Sequence, residues 1–235
     1  MLKRALAGLP ALLLLATFSA CGDDSGETET ATDSGTDSGT DSGTDAGSEA
    51  ATCTYVSDGT GGDVELPPEE PTVEGEVAVE VTSSVGDFSM SLDADSAPCT
   101  VNSMVSLIEQ GFYDDTPCHR LTVAEAFKVL QCGDPTGTGT GGPGYTIPAE
   151  YDGTETYPAG TLAMARSQDP DSGGSQFFVA YGNTSLPPEY TVFGTIDQDG
   201  IDAITEAAEA GVEPQMGPED GAPKTPIDIT SITLG

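Results

Sequence analysis

The strongest constraint on the fold is a long succession of short apolar runs, interrupted by glycine and proline, with only two amphipathic helical stripes among them. Apolar residues alternate at 77–81 and again at 88–92, which is the period of half-buried strands. Residues 101–108 and 201–210 instead carry apolar side chains at helical spacing, and a last alternating run spans 227–234. Two helices and many short strands favour a mainly β fold, a closed antiparallel barrel capped at its ends.

The N-terminal segment 1–21 has the composition of a secretory signal. Lys3 and Arg4 precede an apolar run of about a dozen residues, which is shorter than the roughly 20 residues of a membrane span. The tetrapeptide ending at Cys21 resembles a bacterial lipobox, although Phe18 stands where leucine is usual. We therefore expect a lipoprotein signal peptide, lipidation of Cys21, and an extracytoplasmic protein anchored to a bacterial membrane only through this lipid. A simple cleaved secretory peptide is the alternative.

Residues 22–50 contain a repeated TDSG unit and no apolar residue larger than alanine. Such a segment cannot bury a core, so it is expected to be a disordered acidic tether. Calcium binding would need ligands at alternate positions, and the four-residue period does not supply them. Residues 51–72 are interpreted as an extension packed on the barrel or as a second linker.

The chain is strongly acidic, with 40 Asp and Glu against six Lys and Arg and a formal net charge of −34. Residues 51–235 hold 31 of these acids and four bases. Electrostatic repulsion excludes nucleic acid as a partner. A repulsive, solvated surface is the plainest interpretation, and a monomer is expected.

Four cysteines remain after Cys21, and the predicted oxidising location makes one or two disulfides reasonable. Cys118 and Cys132 flank a predicted hairpin and are the first candidate pair. Cys53 and Cys99 complete the set. Four buried thiols are the alternative.

Generic catalytic chemistries find little support. His119 is the only histidine, so a His-based catalytic pair or a His-containing metal site would have to use it. The glycine-rich run 134–142 contains no lysine, unlike a phosphate-binding loop. Ser175 lacks the spacing of a hydrolase nucleophile. Covalent and metal-assisted catalysis are therefore disfavoured, and neither a metal nor a cofactor is expected.

Five ordered segments resemble cyclophilins, the family of peptidyl-prolyl cis-trans isomerases. They are CHRL (118–121), VLQCGDPTGTGTGGPGY (129–145), GTLAMAR (160–166), GGSQFFVAY (173–181) and LPPEYTVFGTI (186–196). The resemblance covers about residues 73–235. It implies an eight-stranded barrel with two helices, an active groove on the outer face of the barrel, and no cofactor.

The resemblance also implies roles for particular residues. Arg120 would be the catalytic guanidinium, Gln131 would steady the arginine and the substrate, and Phe178 would floor the proline pocket. On pattern alone, Phe178 and Val129 could equally be barrel core, and Arg120 a surface ion pair. The residues expected to contact the substrate are Phe127, Lys128, Val129, Gly139, Ala165, Arg166, Gln176, Phe178, Leu186 and Tyr190.

The sequence departs from the family at several of these positions. The segment 122–127 is longer than usual, and Lys128 stands where an aromatic pocket wall is expected, a ring that Phe127 would supply if the insertion bulges. Arg166 replaces an asparagine, and Tyr190 a common histidine. Ser185 occupies the place of a tryptophan, which predicts weak binding of cyclosporin-type inhibitors.

The resemblance implies isomerisation of Xaa-Pro bonds, with proline-containing unfolded or flexible segments as partners. The alternative is a binding module or chaperone with weak or no turnover, favoured by the altered pocket. A purely structural lipoprotein would explain the tether but not the five segments. Arg120, Lys128 and Arg166 fall in segments that line the groove, which predicts a locally positive groove that favours acidic peptides.

Overall fold

The computed structural model describes residues 51–60 and 64–235. The predicted signal peptide, the lipidation site Cys21 and the tether 22–50 lie outside the described residues. Among the residues that are described, no helix combines the length and apolar character that a membrane crossing requires.

The described residues form thirteen strands and two α-helices. The helices are α1 (Pro98–Glu109) and α2 (Gln198–Ala208). The strands are β1 (Val56–Ser57), β2 (Glu76–Ser83), β3 (Phe88–Asp93), β4 (Thr116–Pro117), β5 (Arg120–Thr122), β6 (Phe127–Cys132), β7 (Tyr145–Thr146), β8 (Thr161–Met164), β9 (Phe177–Thr184), β10 (Val192–Ile196), β11 (Val212–Gly217), β12 (Asp220–Pro223) and β13 (Asp228–Leu234). The mainly β fold and both predicted helices are confirmed.

Eleven strands form one curled antiparallel sheet in the order β11-β12-β5-β6-β9-β8-β10-β3-β2-β13-β4, and β1 pairs separately with β7. The resemblance implies eight strands in a closed barrel. The count differs because short rim segments also pair, including the two-residue β4 and the hairpin β11–β12. A disulfide between Cys118 and Cys132 joins the residue after β4 to the end of β6, so the edge strand curls back toward the middle of the sheet.

Helix α1 packs against β13 and β3 and buries most of its length. Pro98 lies in its first turn, where the missing N–H leaves no hydrogen bond unmade. The amides of Cys99 and Thr100 donate to the Glu150 carboxylate at 2.9 and 2.8 Å. Those two bonds satisfy donors that the helix itself cannot use, and the carboxylate complements the positive end of the helix.

Helix α2 begins at a capping carboxylate. Asp197 accepts a hydrogen bond from the Gly200 amide at 2.9 Å and another from the Ser89 amide of β3 at 3.0 Å. The cap therefore ties the helix start to the sheet as well as to its own first turn. A side chain at Gly200 would collide with the Phe88 ring, so only glycine lets α2 approach β3 this closely.

Alternation along β9 separates two apolar clusters. Phe177 and Val179 point into the main core beneath the sheet, whereas Phe178 and Ala180 point to the outer face. On that face they join a smaller buried cluster, whose other members are Val129, Tyr157 and Ala163. This outer cluster is the base on which the groove described below is built.

The N-terminal extension packs on the sheet and α1. A disulfide links Cys53 to Cys99 in α1. Tyr55 accepts a hydrogen bond from the buried Asn102 side chain at 2.8 Å, and its ring lies edge-on to that of Tyr145, with the ring centroids 5.6 Å apart. The described part of the extension is therefore held by covalent, polar and apolar contacts.

Candidate active site

A groove on the outer face of β5, β6, β8 and β9 contains a cavity of about 200 Å³. Eight of the ten residues expected to contact substrate line it together with Arg120 and Gln131. Of the other two, Gln176 lines the adjoining cavity and Lys128 lines neither. The full lining is His119, Arg120, Phe127, Val129, Gln131, Gly137, Thr138, Gly139, Ala165, Arg166, Phe178, Leu186, Tyr190, Gln215 and Met216.

The Arg120 guanidinium is held between two partners. Arg120 and Gln131 are directly paired across β5 and β6, and Arg120 Nη1 donates to Gln131 Oε1 at 3.3 Å. Its Nε and Nη2 both donate to the Asp220 carboxylate, at 2.8 Å each. The hydrogen bond to Asp220 raises the pKa of Arg120 above its usual value despite partial burial, so the group is charged throughout the physiological range.

A chain of side-chain amides continues from the arginine. Gln131 Nε2 donates to Gln176 Oε1 at 2.8 Å, and Gln176 Nε2 donates to the carbonyls of Gly139 and Gly141 at 3.1 and 2.8 Å. In each glutamine, the hydrogen-bond partners distinguish the side-chain oxygen, which accepts, from the nitrogen, which donates. Arg120 is thereby connected through two glutamines to the glycine-rich loop.

The Asp134 carboxylate accepts several hydrogen bonds from the glycine-rich loop. It is fully buried and accepts bonds from the Thr136 amide and hydroxyl, both at 2.7 Å, and from the Gly139 amide at 2.6 Å. Burial raises its pKa, but these bonds outweigh burial and bring the pKa below its usual value. A side chain at Gly141 would collide with the carboxylate, and Gly139 has a φ of 84°, so both positions favour glycine.

Aromatic rings form the apolar part of the cavity. The Phe178 and Tyr190 ring centroids lie 5.4 Å apart at 86°, an edge-to-face contact, and the buried Tyr157 ring lies 6.1 Å from each. The Tyr157 hydroxyl donates to the Pro187 carbonyl at 3.1 Å and accepts from the Tyr190 amide at the same distance. Tyr157 thus holds the segment that supplies Leu186 and Tyr190.

The insertion before β6 places Phe127, rather than Lys128, in the groove. The register between β6 and β9 shifts between Phe127 and Val129, and both of these residues line the cavity. Lys128 between them does not line the cavity. Its side chain passes over Gly182, where any Cβ would lie 2.6 Å from Lys128 Cδ. The Phe127 ring lies 5.7 Å from Arg120 Cζ, within cation–π range.

Each of the two guanidinium groups in the groove is paired with a carboxylate, which offsets its positive charge. Arg166 Nη2 pairs with Glu189 at 2.6 Å, its Nε donates to the Glu189 carbonyl at 2.7 Å, and its Cζ lies 5.1 Å from the Tyr190 ring centroid. Arg120 is paired with Asp220. With Lys128 outside the groove, the structure does not support the locally positive groove that the sequence predicts.

Sequence reasoning missed several residues of the site. Asp220, Asp134 and Tyr157 each hold a groove residue in place, and the exposed Met216 of the β11–β12 hairpin forms an outer wall. The glycine spacing of residues 137–141 was the only sequence signal for the role of Asp134. His119 also lines the groove, and its Nδ1 is buried without a hydrogen-bond partner among the described residues.

Comparisons with known proteins agree with this architecture. The family model described as cyclophilin type peptidyl-prolyl cis-trans isomerase/CLD matches residues 77–234. A probable peptidyl-prolyl cis-trans isomerase B of Mycobacterium tuberculosis strain H37Rv is 44% identical over 200 residues, which cover 78% of this chain and 64% of that protein. Peptidyl-prolyl cis-trans isomerase B of Bacillus subtilis is 46% identical over 104 residues, which cover 43% of this chain and 70% of that protein.

The fold is also similar to a solved structure. A cyclophilin type peptidyl-prolyl cis-trans isomerase of Cryptosporidium parvum, crystallised in the presence of the dipeptide Ala-Pro, aligns with a TM-score of 0.57 and 29% identity. The alignment covers 67% of this chain and 98% of that one. The present chain spans 64% of the length of the Mycobacterium tuberculosis relative and 59% of that of a probable peptidyl-prolyl cis-trans isomerase B of Mycobacterium leprae, to which it is 44% identical over 176 residues.

Proposed function

Because the chain belongs to the cyclophilin type peptidyl-prolyl cis-trans isomerase family, we propose that it accelerates cis-trans isomerisation of Xaa-Pro bonds in extracytoplasmic proteins. One observation carries the proposal: a fixed, charged guanidinium borders an apolar cavity floored by Phe178. The Ala-Pro dipeptide named with the Cryptosporidium structure supports a proline-containing ligand.

The reaction needs no bond to be broken. Rotation about a peptide bond crosses a barrier of about 18–20 kcal/mol because the amide nitrogen lone pair is conjugated with the carbonyl. A donor directed at the prolyl nitrogen stabilises the twisted state, in which that lone pair is localised. Each 1.4 kcal/mol of such selective stabilisation accelerates rotation about tenfold.

Arg120 is proposed to supply this donor. The Nε hydrogen and one Nη2 hydrogen of Arg120 bond to Asp220, and Nη1 donates to Gln131. The remaining Nη hydrogens are left for the substrate. Phe178, Val129 and Leu186 would grip the proline ring, and Gln176 would contact the substrate backbone. Holding the proline side of the bond while the other side turns favours the twisted state over either planar isomer.

We further propose that the enzyme acts outside the cytoplasm, tethered through a lipid on Cys21. The signal-like segment and the lipobox-like cysteine support this location. Two disulfides among the described residues fit the same interpretation, because disulfides persist mainly in oxidising compartments.

Exchange NMR on a short Xaa-Pro peptide tests the proposal. The purified chain should accelerate exchange, and Arg120→Ala should lower the acceleration by about 100- to 1,000-fold, the usual effect of removing one stabilising donor. Lys224→Ala is a matched control, because it removes one exposed positive charge away from the groove. Peptide binding without acceleration in the wild-type protein would instead establish the binding-module alternative.

A further inference from the structure

A second cavity, of about 390 Å³, continues the groove beyond the proline cavity. The two cavities share Gln131, Gly139, Ala165 and Arg166 in their linings. A peptide chain whose proline lies on Phe178 therefore extends past Gly139 into the second cavity. We place the residues that precede the proline on this side. Part of the wall of this cavity comes from Asp58 and Thr60, which precede the region matched by the family model.

The segment that carries Asp58 is held by backbone pairing and by a disulfide. Strand β1 pairs with β7, with Val56 opposite Thr146, and the Asp58 amide donates to the Gly144 carbonyl at 3.1 Å. The Cys53–Cys99 disulfide ties the start of the extension to α1. The wall is consequently a built part of the groove.

Charge in this cavity is not balanced. The Asp58 carboxylate accepts only neutral donors among the described residues, the Thr60 amide at 2.8 Å and the Thr60 hydroxyl at 2.6 Å. Arg166 is the one base among the described residues that line the cavity, and its guanidinium is already paired with Glu189. The rest of the lining is largely serine, threonine and glycine, which offer hydrogen bonds but no charge. The uncompensated charge is thus negative.

We propose that Asp58 makes this cavity a subsite for a lysine or arginine side chain located upstream of the substrate proline. This inference rests on the proposed isomerase function and names the class of segment the enzyme selects. A cation in the cavity pairs with Asp58 at an exposed position, where such a pair changes affinity by about two- to five-fold. The acidic surface of the protein adds a longer-range attraction that salt screens.

The test uses three peptides that are identical except for Lys, Gln or Glu at the second residue before proline. Isomerisation by exchange NMR and peptide affinity by NMR titration are measured on the full chain and on three variants. Asp58→Asn removes the charge but keeps an oxygen that accepts from Thr60, and Asp58→Lys inverts the charge. Glu65→Lys is the matched control, because this exposed acid belongs to the same extension but lies outside the cavity.

The wild-type protein should favour the Lys peptide over the Glu peptide by about three-fold or more in kcat/KM. Asp58→Asn should lower this ratio about two-fold or more, and the remaining preference should disappear at high salt because it comes from the acidic surface. Asp58→Lys should lower the ratio further, and Glu65→Lys should leave most of the wild-type preference. An equal ratio in the wild type and Asp58→Asn, or an equal effect of Asp58→Lys and Glu65→Lys, would overturn the subsite. If no peptide is turned over, the proposed function fails, and the ranking of affinities alone then supports or overturns the subsite.

Discussion

The Asp220 carboxylate accepts two hydrogen bonds from the Arg120 guanidinium, one from Nε and one from Nη2, each 2.8 Å long. Asp220 is also paired with Thr122 across β12 and β5, so its side chain starts from a fixed backbone position. Two parallel bonds fix the plane of a guanidinium as well as its location. The orientation of Arg120 toward the groove therefore depends on a hairpin 100 residues away in sequence.

Replacing Asp220 should impair turnover more than peptide binding. Asp220→Ala frees the Arg120 side chain to rotate, and we expect kcat for an Xaa-Pro peptide to fall about tenfold while KM changes little, since the Phe178 cavity is untouched. Asp220→Asn retains one acceptor and should recover part of the loss. Exchange NMR and saturation kinetics give both constants. Glu219→Ala, at the exposed neighbouring position, is the control, and equal effects of the two alanine variants would contradict a positioning role for Asp220.

Tyr157 should stabilise the outer wall of the proline cavity. Tyr157→Phe keeps the buried ring but removes the hydroxyl that joins the Pro187 carbonyl to the Tyr190 amide. We expect the free energy of unfolding to fall by about 1 kcal/mol and KM to rise, because the partly buried Tyr190 amide loses its partner. Urea denaturation measures the first effect. Tyr151→Phe should cost less, as the Tyr151 hydroxyl makes no hydrogen bond to the described residues.

The two disulfides should contribute unequally to stability. The Cys53–Cys99 bond closes a separation of 46 residues and the Cys118–Cys132 bond one of 14. A disulfide lowers the entropy of the unfolded chain more when it closes a longer loop. Replacing Cys53 and Cys99 by serine should therefore lower the free energy of unfolding by about 4 kcal/mol, and replacing Cys118 and Cys132 by serine should lower it by about 3 kcal/mol. Chemical denaturation of the two double variants provides the comparison. A larger loss for the Cys118–Cys132 variant would show that loop length does not control the effect.

His119 should make the protein less stable as the pH falls below neutrality. Burial lowers the pKa of the imidazole from its usual value of 6.5, the Arg120 charge lowers it further, and Asp134 partly opposes both. The unfolded chain therefore takes up the proton at a higher pH than the folded chain does. The contribution of the neutral imidazole to the free energy of unfolding is fully present above about pH 6.5 and decreases as the pH falls toward the folded-state pKa. The total loss is about 1.4 kcal/mol for each unit by which the folded-state pKa lies below the unfolded-state pKa.

The single histidine allows a direct measurement of this effect. The ring proton shifts of His119 in an NMR titration should report a midpoint below 6.5. The free energy of unfolding of the wild type, relative to that of His119→Asn, should fall between pH 8 and pH 5.5. A midpoint above 6.5 would mean that a carboxylate, rather than burial, dominates the environment of the imidazole.

Local periodicity was sufficient to predict much of the framework. The alternation of residues 77–81 and 88–92 corresponds to β2 and β3, and the helical stripes to α1 and α2. Successive side chains on a strand face opposite ways, and Phe177 and Phe178 accordingly lie in different clusters. Lys128 shows the limit of this reasoning. The register of β6 shifts beside it and its side chain does not line the cavity, and no local pattern encodes a shift in pairing with another strand.

The order of the five motifs, the two helices and the alternation of side chains along a strand depend on neighbours along the chain, and they can be predicted from the sequence. The pairing of charges depends on the tertiary structure. Asp220 beside Arg120 and Glu189 beside Arg166 are contacts between segments that are separated in sequence. An ion pair requires a separation of a few ångströms, and folding alone brings such segments to that distance.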